Sequence, residues 1–232
     1  LVDSPEKFDA FYEEFKKQDR FALDTETTSI DVMRADLVGM SFSWQANRAW
    51  YLPVRAPVGQ KHLNLSDVRK KLAPILADPK RYKIGQNLKY DLIILENAGL
   101  PVALADGACF DTMVASYVLS ADRSSHSMDT MARDYLGIEP IPISSLIGKG
   151  KNQICFDQVD TAAACEYAAE DADVTWQLYE YLSARLKAQP PLRELFETVE
   201  MPLVQVLMRM ETNGVSLDVK LLKEMSQSMA KM

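Results

Sequence analysis

The chain has 232 residues, 47% of them apolar and 25% charged, enough to bury a full hydrophobic core in one sizeable domain or one domain and part of another. No run approaches the roughly 20 apolar residues of a membrane span, and no basic and apolar leader opens the chain, which predicts a soluble, cytoplasmic protein with no membrane partner. The net charge of −7 is the wrong sign for a protein that grips nucleic acid by neutralising phosphates, and Cys109, Cys155 and Cys165, odd in number and without C-x-x-C spacing, predict reduced thiols rather than disulfides or a structural zinc.

The predicted elements begin with a helix through Lys17, capped by Ser4 with Pro5 in its first position, on which Phe8, Phe11, Tyr12 and Phe15 recur at helical spacing. Three apolar, β-rich runs follow at 21–24, 37–44 and 49–54, separated by short polar stretches that suit an antiparallel meander. A helix over 66–77, a short strand at 82–85 and a helix over 88–97 come next, the last stopped by Gly99 and Pro101. Further helices are predicted at 111–119, 128–135 and 161–187. Meander first and helices afterwards describe a mixed, layered α/β domain.

Gly148 to Gln153, which includes Lys149 and Lys151, reads as a flexible basic loop. Pro190-Pro191 is the linker, because proline stops the preceding helix. This divides the chain into 1–189 and 190–232. In the second part a helix over 192–211 ends at Asn213-Gly214 and carries an apolar stripe, while both chain ends are expected to continue into a longer polypeptide.

Three acidic motifs carry the chemistry. In Asp24-Thr25-Glu26, residues i and i+2 of a strand point to one face, so both carboxylates project together. Asp91 lies in the first turn of the helix after Gly85-Gln86-Asn87, where an acid also interacts favourably with the helix dipole and Asn87 can serve as N-cap. Tyr167 and Asp171 are four apart on a helix and share a face. Each motif alone has an ordinary explanation in a solvated or capping acid. Their occurrence in one order changes the reading.

That order resembles the DEDD exonuclease superfamily in its tyrosine-bearing branch. Within it, the segments Asp24 to Thr27, Ile84 to Asp91, Gly148 to Gln153 and Tyr167 to Thr175 resemble the 3′→5′ exonuclease domains of family A DNA polymerases of the polymerase I type. Val199 to Leu203 and Asn213-Gly214-Val215 look like the opening of the polymerase region, so 190–232 is its truncated, thumb-proximal start. The fold implied is ribonuclease H-like: an α/β mixed sheet with an antiparallel three-strand meander, flanked by helices.

Four carboxylates without a compensating Lys or Arg in their motifs require cations if they converge, and hard oxygen ligands select Mg²⁺ or Mn²⁺. The resemblance implies two such ions. Asp24 bridges them, Glu26 and Asp171 complete the nucleophile-side ion, and Asp91 holds the other largely through water. Tyr167 orients the attacking water; Thr25, Ile30, Gln86, Asn87 and Tyr90 contact the terminal nucleotides, with Ile30 as a wedge that its apolar character alone would place in the core. Family members often carry Arg directly before the His at the helix entry, whereas Ser125 precedes His126 here and Arg123 lies nearby.

The implied partner is a single-stranded or frayed 3′ end of DNA, with the rest of a polymerase in cis, and the chain is expected to be a monomer in the cytoplasm at the nucleoid. Two other readings fit part of the pattern. A catalytically degenerate scaffold domain would have lost carboxylates, and all four are present. A free-standing ribonuclease D-like exoribonuclease shares the acids, but neither 200–214 nor the lack of a basic, aromatic RNA module favours it.

Overall fold

The computed structural model describes residues 1–104 and 109–231. Helix α1 (Pro5–Phe15) starts where Ser4 accepts a hydrogen bond from the Lys7 N–H and Pro5 fills the first turn. Its buried Phe11 and Phe15 pack on the first strands, with ring centroids 5.6 Å apart for Phe11 and Phe42 and 4.7 Å for Phe15 and Phe21. Strands β1 (Arg20–Thr27), β2 (Leu37–Gln45) and β3 (Arg48–Pro53) form the antiparallel meander. Its turn at Asn47 is left-handed, and Trp44 stacks on Trp50 beside it.

Helix α2 (Leu65–Leu76) leads to β4 (Tyr82–Gly85), and α3 (Leu88–Asn97) to β5 (Cys109–Asp111). Strand β4 pairs parallel with both β1 and β5, so the sheet order is β3-β2-β1-β4-β5 and the sheet is mixed. The fold class expected from the sequence is thus present. The three-residue β5 was not anticipated; residues 111–119 divide instead between the end of that strand and helix α4 (Thr112–Leu119).

Helix α5 (Met128–Met131) runs into a π-helical turn (Ala132–Leu136), and α6 (Ile143–Ile147) is short. The 27-residue α7 (Thr161–Lys187) is capped by Asp160, which accepts from the Ala162 and Ala163 N–H groups. It crosses the sheet face that carries Tyr51, where Ala164 and Ala168 are buried against it, while α1 covers the opposite face through Phe42 and Trp50.

The proline pair does not make an open linker. Pro190 and Pro191 occupy the first turn of α8 (Pro190–Leu195), which continues through a π turn (Phe196–Glu200) into α9 (Met201–Asn213). Proline lacks only an N–H that a first turn cannot use, so the pair both ends α7 and opens the next helix. Phe196, Met201 and Val204 are buried on the body, whereas Val199, Val206, Met210 and most apolar residues of α10 (Val219–Met229) are exposed. Among the described residues no helix is long and apolar enough to cross a membrane.

Candidate metal centre and nucleic-acid cleft

Strand alternation decides the site. In β1, Asp24 lies opposite Ser41 and Glu26 opposite Gly39, while Ser41 in turn lies opposite Tyr51 on β3. Asp24 and Glu26 therefore project to the face covered by α7, and Thr25 projects to the face covered by α3. From α7, Asp171 meets the pair: one carboxylate oxygen each of Asp24, Glu26 and Asp171 lie within 4.8 Å of one another.

Asp91 approaches from the other layer. Its Oδ1 accepts from the Thr25 N–H at 3.1 Å and from the Thr25 hydroxyl at 2.6 Å, which locks it behind the residue that separates Asp24 from Glu26. It stands beside the three-acid cluster without sharing its donor oxygens. Among the described residues, none of the four acids forms an ion pair with Lys or Arg.

Crowding these acids away from water raises their pKa values. Asp24 is pushed up to about 7, mainly by burial, with the Thr25 backbone N–H opposing the shift. Glu26, Asp91 and Asp171 are raised well above ordinary carboxylate values, first by burial and then by neighbouring negative charge, chiefly that of Asp24. Glu26 is 7% exposed, and its Oε1 is buried without a hydrogen-bond partner. An orphaned carboxylate oxygen among hard oxygen donors of like charge fits a Mg²⁺- or Mn²⁺-sized cation.

These shifts have a thermodynamic sign. A carboxyl group whose folded pKa is raised binds more protons in the folded than in the unfolded state between the two values, so stability is fully present below about pH 4 and is lost as pH rises through the folded pKa. For Asp24 that window runs from about 4 to about 7. In EDTA, the Tm should fall between pH 5 and pH 8, by on the order of 5 °C. Asp24→Asn should flatten the dependence. A metal-free Tm that rises over this interval would contradict the assignment of repulsion to the cluster.

Tyr167 lies one turn before Asp171 and is part-buried; its phenol is pushed upward by burial and then by the charges of Asp171, Glu26 and Asp24. It stays protonated and is a hydrogen-bond donor. With Glu26 it lines a cleft of about 360 Å³ whose apolar wall is Ile147, Ile154 and Phe156 and whose rim is Ile30. Ile30 is 96% exposed, so the core placement suggested by its side chain alone does not hold. A larger cavity, about 410 Å³ beside Phe8, Leu63 and Lys71, contains none of the motif residues.

The other expected contact residues have definite places. Tyr90 donates its hydroxyl to the Ser29 carbonyl at 2.6 Å and lies 2.7 Å from the Thr27 hydroxyl, which holds the loop below Ile30. Gln86 is tied at both ends of its amide, donating to the His126 carbonyl at 3.0 Å and accepting from the Thr112 hydroxyl. Asn87 is exposed in a left-handed conformation at the N-cap of α3 and makes no side-chain cap bond. Arg123 is engaged by Asp134 at 2.5 Å and lies over the Tyr135 ring, while His126 Nδ1 lies 2.9 Å from the Ser116 hydroxyl.

The capping expected of Asn87 is performed by Asp111, which the motifs did not mark. Its carboxylate, 1% exposed, accepts from the N–H groups of Asn87 and Leu88 at 3.2 and 2.7 Å and from those of Met113 and Val114 at 2.9 and 3.3 Å. One side chain thus caps α3 and α4 together and sets the position of Asp91. Gly85 lets α3 start this close, because a Cβ there would lie 2.6 Å from Leu88 Cδ1. Phe156 and Ile154 were also missed; an apolar pair directly after a basic loop is the signal that could have found them.

A 3′-5′ exonuclease family model matches residues 1–187. The DNA polymerase I of Pseudomonas aeruginosa is 43% identical over 217 residues, covering 93% of this chain and 24% of that protein. The chain spans about a quarter of the length of such curated relatives. Among solved structures, the polymerase domain of Pol1 from M. smegmatis in complex with DNA primer-template and dNTP superposes with TM-score 0.74 at 19% identity, covering 98% of this chain and 34% of that one. Brucella melitensis NrnC with bound Mg²⁺ superposes with TM-score 0.60 at 22% identity, covering 89% and 92% of the two chains. These structural likenesses establish a shared fold.

Proposed function

The chain belongs to the 3′-5′ exonuclease family, and from that premise we propose that it removes nucleotides from single-stranded or frayed 3′ ends of DNA by metal-dependent hydrolysis, as the proofreading part of a polymerase I. The observation that carries the reading is the meeting of Asp24, Glu26 and Asp171 within 4.8 Å, with Glu26 and Tyr167 also lining a cleft of about 360 Å³ beside them. Asp24, Glu26 and Asp171 would hold one divalent cation, and Asp91 with Asp24 a second. When bound, such ions supply positive charge against the scissile phosphate and lower the pKa of a water molecule.

The protein's own groups then orient. Tyr167, kept protonated, donates a hydrogen bond to place the water or the phosphate. Thr25 fixes Asp91, and Tyr90 fixes the loop that presents Ile30 at the rim. The exposed side chain of Ile30 at the rim offers an apolar surface against which a terminal base of any identity can pack and which a paired base cannot reach. We assign 1–189 to this nuclease unit and 190–232 to the beginning of the region that follows it.

The test uses a 3′-labelled DNA strand, the matching duplex and an RNA of the same sequence. The expected result is stepwise release of mononucleotides from the single strand in Mg²⁺ or Mn²⁺, slower release from the duplex, and none in EDTA. Faster release from RNA would favour the exoribonuclease reading. Hydrolysis in EDTA would remove the metal from the mechanism.

A further inference from the structure

One motif of the sequence has no part in the mechanism above: the basic loop from Gly148 to Gln153. Its two roots belong to the cleft, since Ile147, Gln153 and Ile154 line it beside Glu26, Ile30 and Tyr167. The Ile154 N–H donates to the Ile147 carbonyl at 2.9 Å and closes the loop at its base. Gly148 and Gly150, with φ of 78° and 63°, take the left-handed turns, and a 3-10 turn (Gly150–Asn152) forms the tip. The wall that carries the loop is fastened on both sides of the acids. The Ile141 N–H donates to Glu170 Oε2 at 2.6 Å, next to Asp171 on α7, and the Cys155 thiol donates to the Thr28 carbonyl at 3.4 Å, two residues before Ile30.

Lys149 and Lys151 stand exposed on this loop, and neither forms an ion pair with a described residue. The other cations on segments around the site are engaged: Arg34, in the loop that bears Ile30, by Asp31 at 3.5 Å, Lys89 on α3 by Glu211, and Arg123 by Asp134. A chain of net charge −7 repels a polyanion, so beyond the metal ions the charge that draws a strand to this cleft has to come from cations that no carboxylate neutralises. Among the cations of these segments, Lys149 and Lys151 meet that condition.

We propose that Lys149 and Lys151 form a phosphate-binding clamp at the cleft rim that engages the DNA backbone on the 5′ side of the scissile bond. The inference rests on the functional reading above. In release of a 3′-terminal nucleotide the scissile phosphate is the last internucleotide phosphate, so every other phosphate between nucleotides lies 5′ of it. An ammonium on a flexible stem binds phosphate as a point charge and reads no base, which suits an enzyme that removes any nucleotide. The clamp sets affinity and leaves the chemical step to the acids.

Fluorescence anisotropy of a labelled DNA single strand in EDTA tests the clamp without an activity measurement. Each lysine–phosphate contact contributes about 0.7 to the slope of log affinity against log salt concentration, so Lys149→Gln with Lys151→Gln should lower the slope by about 1.4 and weaken binding roughly tenfold at about 50 mM salt. Lys149→Arg with Lys151→Arg should keep the slope. Lys220→Gln with Lys223→Gln on α10 removes the same charge elsewhere and should bind like the parent. An unchanged slope in the Lys149→Gln, Lys151→Gln variant overturns the clamp, and so does an equal drop in both glutamine variants, which would be a general effect of net charge. Nucleotide release in Mg²⁺ separates this result from the underlying reading. Without the clamp, KM should rise about tenfold while kcat at saturation stays near the parent value; a fall in kcat with KM unchanged would overturn the proposal. A parent that releases no nucleotide in Mg²⁺ while the slope still drops would remove the nuclease reading and leave the clamp standing as a strand-binding site.

Discussion

Asp24→Ala is expected to lower the rate of 3′ nucleotide release by about a thousandfold or more, because a correctly placed cation contributes several kcal/mol of charge stabilisation and each 1.36 kcal/mol is a factor of ten. Asp171→Ala should do nearly the same, as its oxygen belongs to the same 4.8 Å cluster. Neither change should unfold the protein, since each removes one of several mutually repelling charges. Tyr167→Phe should cost far less, about tenfold, if its hydroxyl orients without exchanging a proton. Single-turnover kinetics on a labelled strand at saturating Mg²⁺ make the comparison. Activity within tenfold of the parent in Asp24→Ala would falsify the assignment of the centre.

The largest loss of stability is expected away from the reacting groups, at Asp111. Alanine there strips the cap from two helices at once and leaves four buried or part-buried N–H groups to find new partners. Loss of a single cap costs about 0.5–2 kcal/mol, so roughly 3 kcal/mol is expected for both, a fall in Tm on the order of 10 °C. Asp111→Asn keeps one acceptor oxygen and should lose about half as much. Thermal denaturation in EDTA reads this without interference from metal. Because α3 carries Asp91, the alanine variant should also hydrolyse DNA more slowly at temperatures where it is folded. A Tm unchanged in Asp111→Ala would show that the two helices start without its help.

The contrast between Asp24 and Asp111 shows what the sequence exposes. Asp24, Glu26, Tyr167 and Asp171 were legible because their spacings, two in a strand and four in a helix, place them on common faces whatever the remainder of the chain does. Asp111 was not, since its role depends on bringing Asn87, 24 positions earlier, within reach, and only the parallel pairing of β4 with β5 does that. Strand β5 was itself invisible: three residues are too few for alternation to register.

Ile30 illustrates the reverse difficulty. An isoleucine after a strand is core by default, and nothing local distinguishes it from Val38 or Ile84, both buried. Its exposure comes from the loop that Tyr90 and Thr27 hold open, a contact spanning 63 positions. The proline pair was read correctly as a stop and incompletely as a start, because the same fixed φ that ends one helix suits the first turn of another.

The division of labour within Asp24-Thr25-Glu26 also bears on how a gene for such a domain can change. Since the two acids face α7 and Thr25 faces α3, the deletion or insertion of one codon in the strand would turn the acids toward the wrong layer and bring threonine to the cation side. Point changes along β1 alter one contact each, but a single-codon length change reverses every residue after it. Across descendants of this gene, length variation is therefore expected to collect in the loops after β1 and β3 and to spare the strand itself.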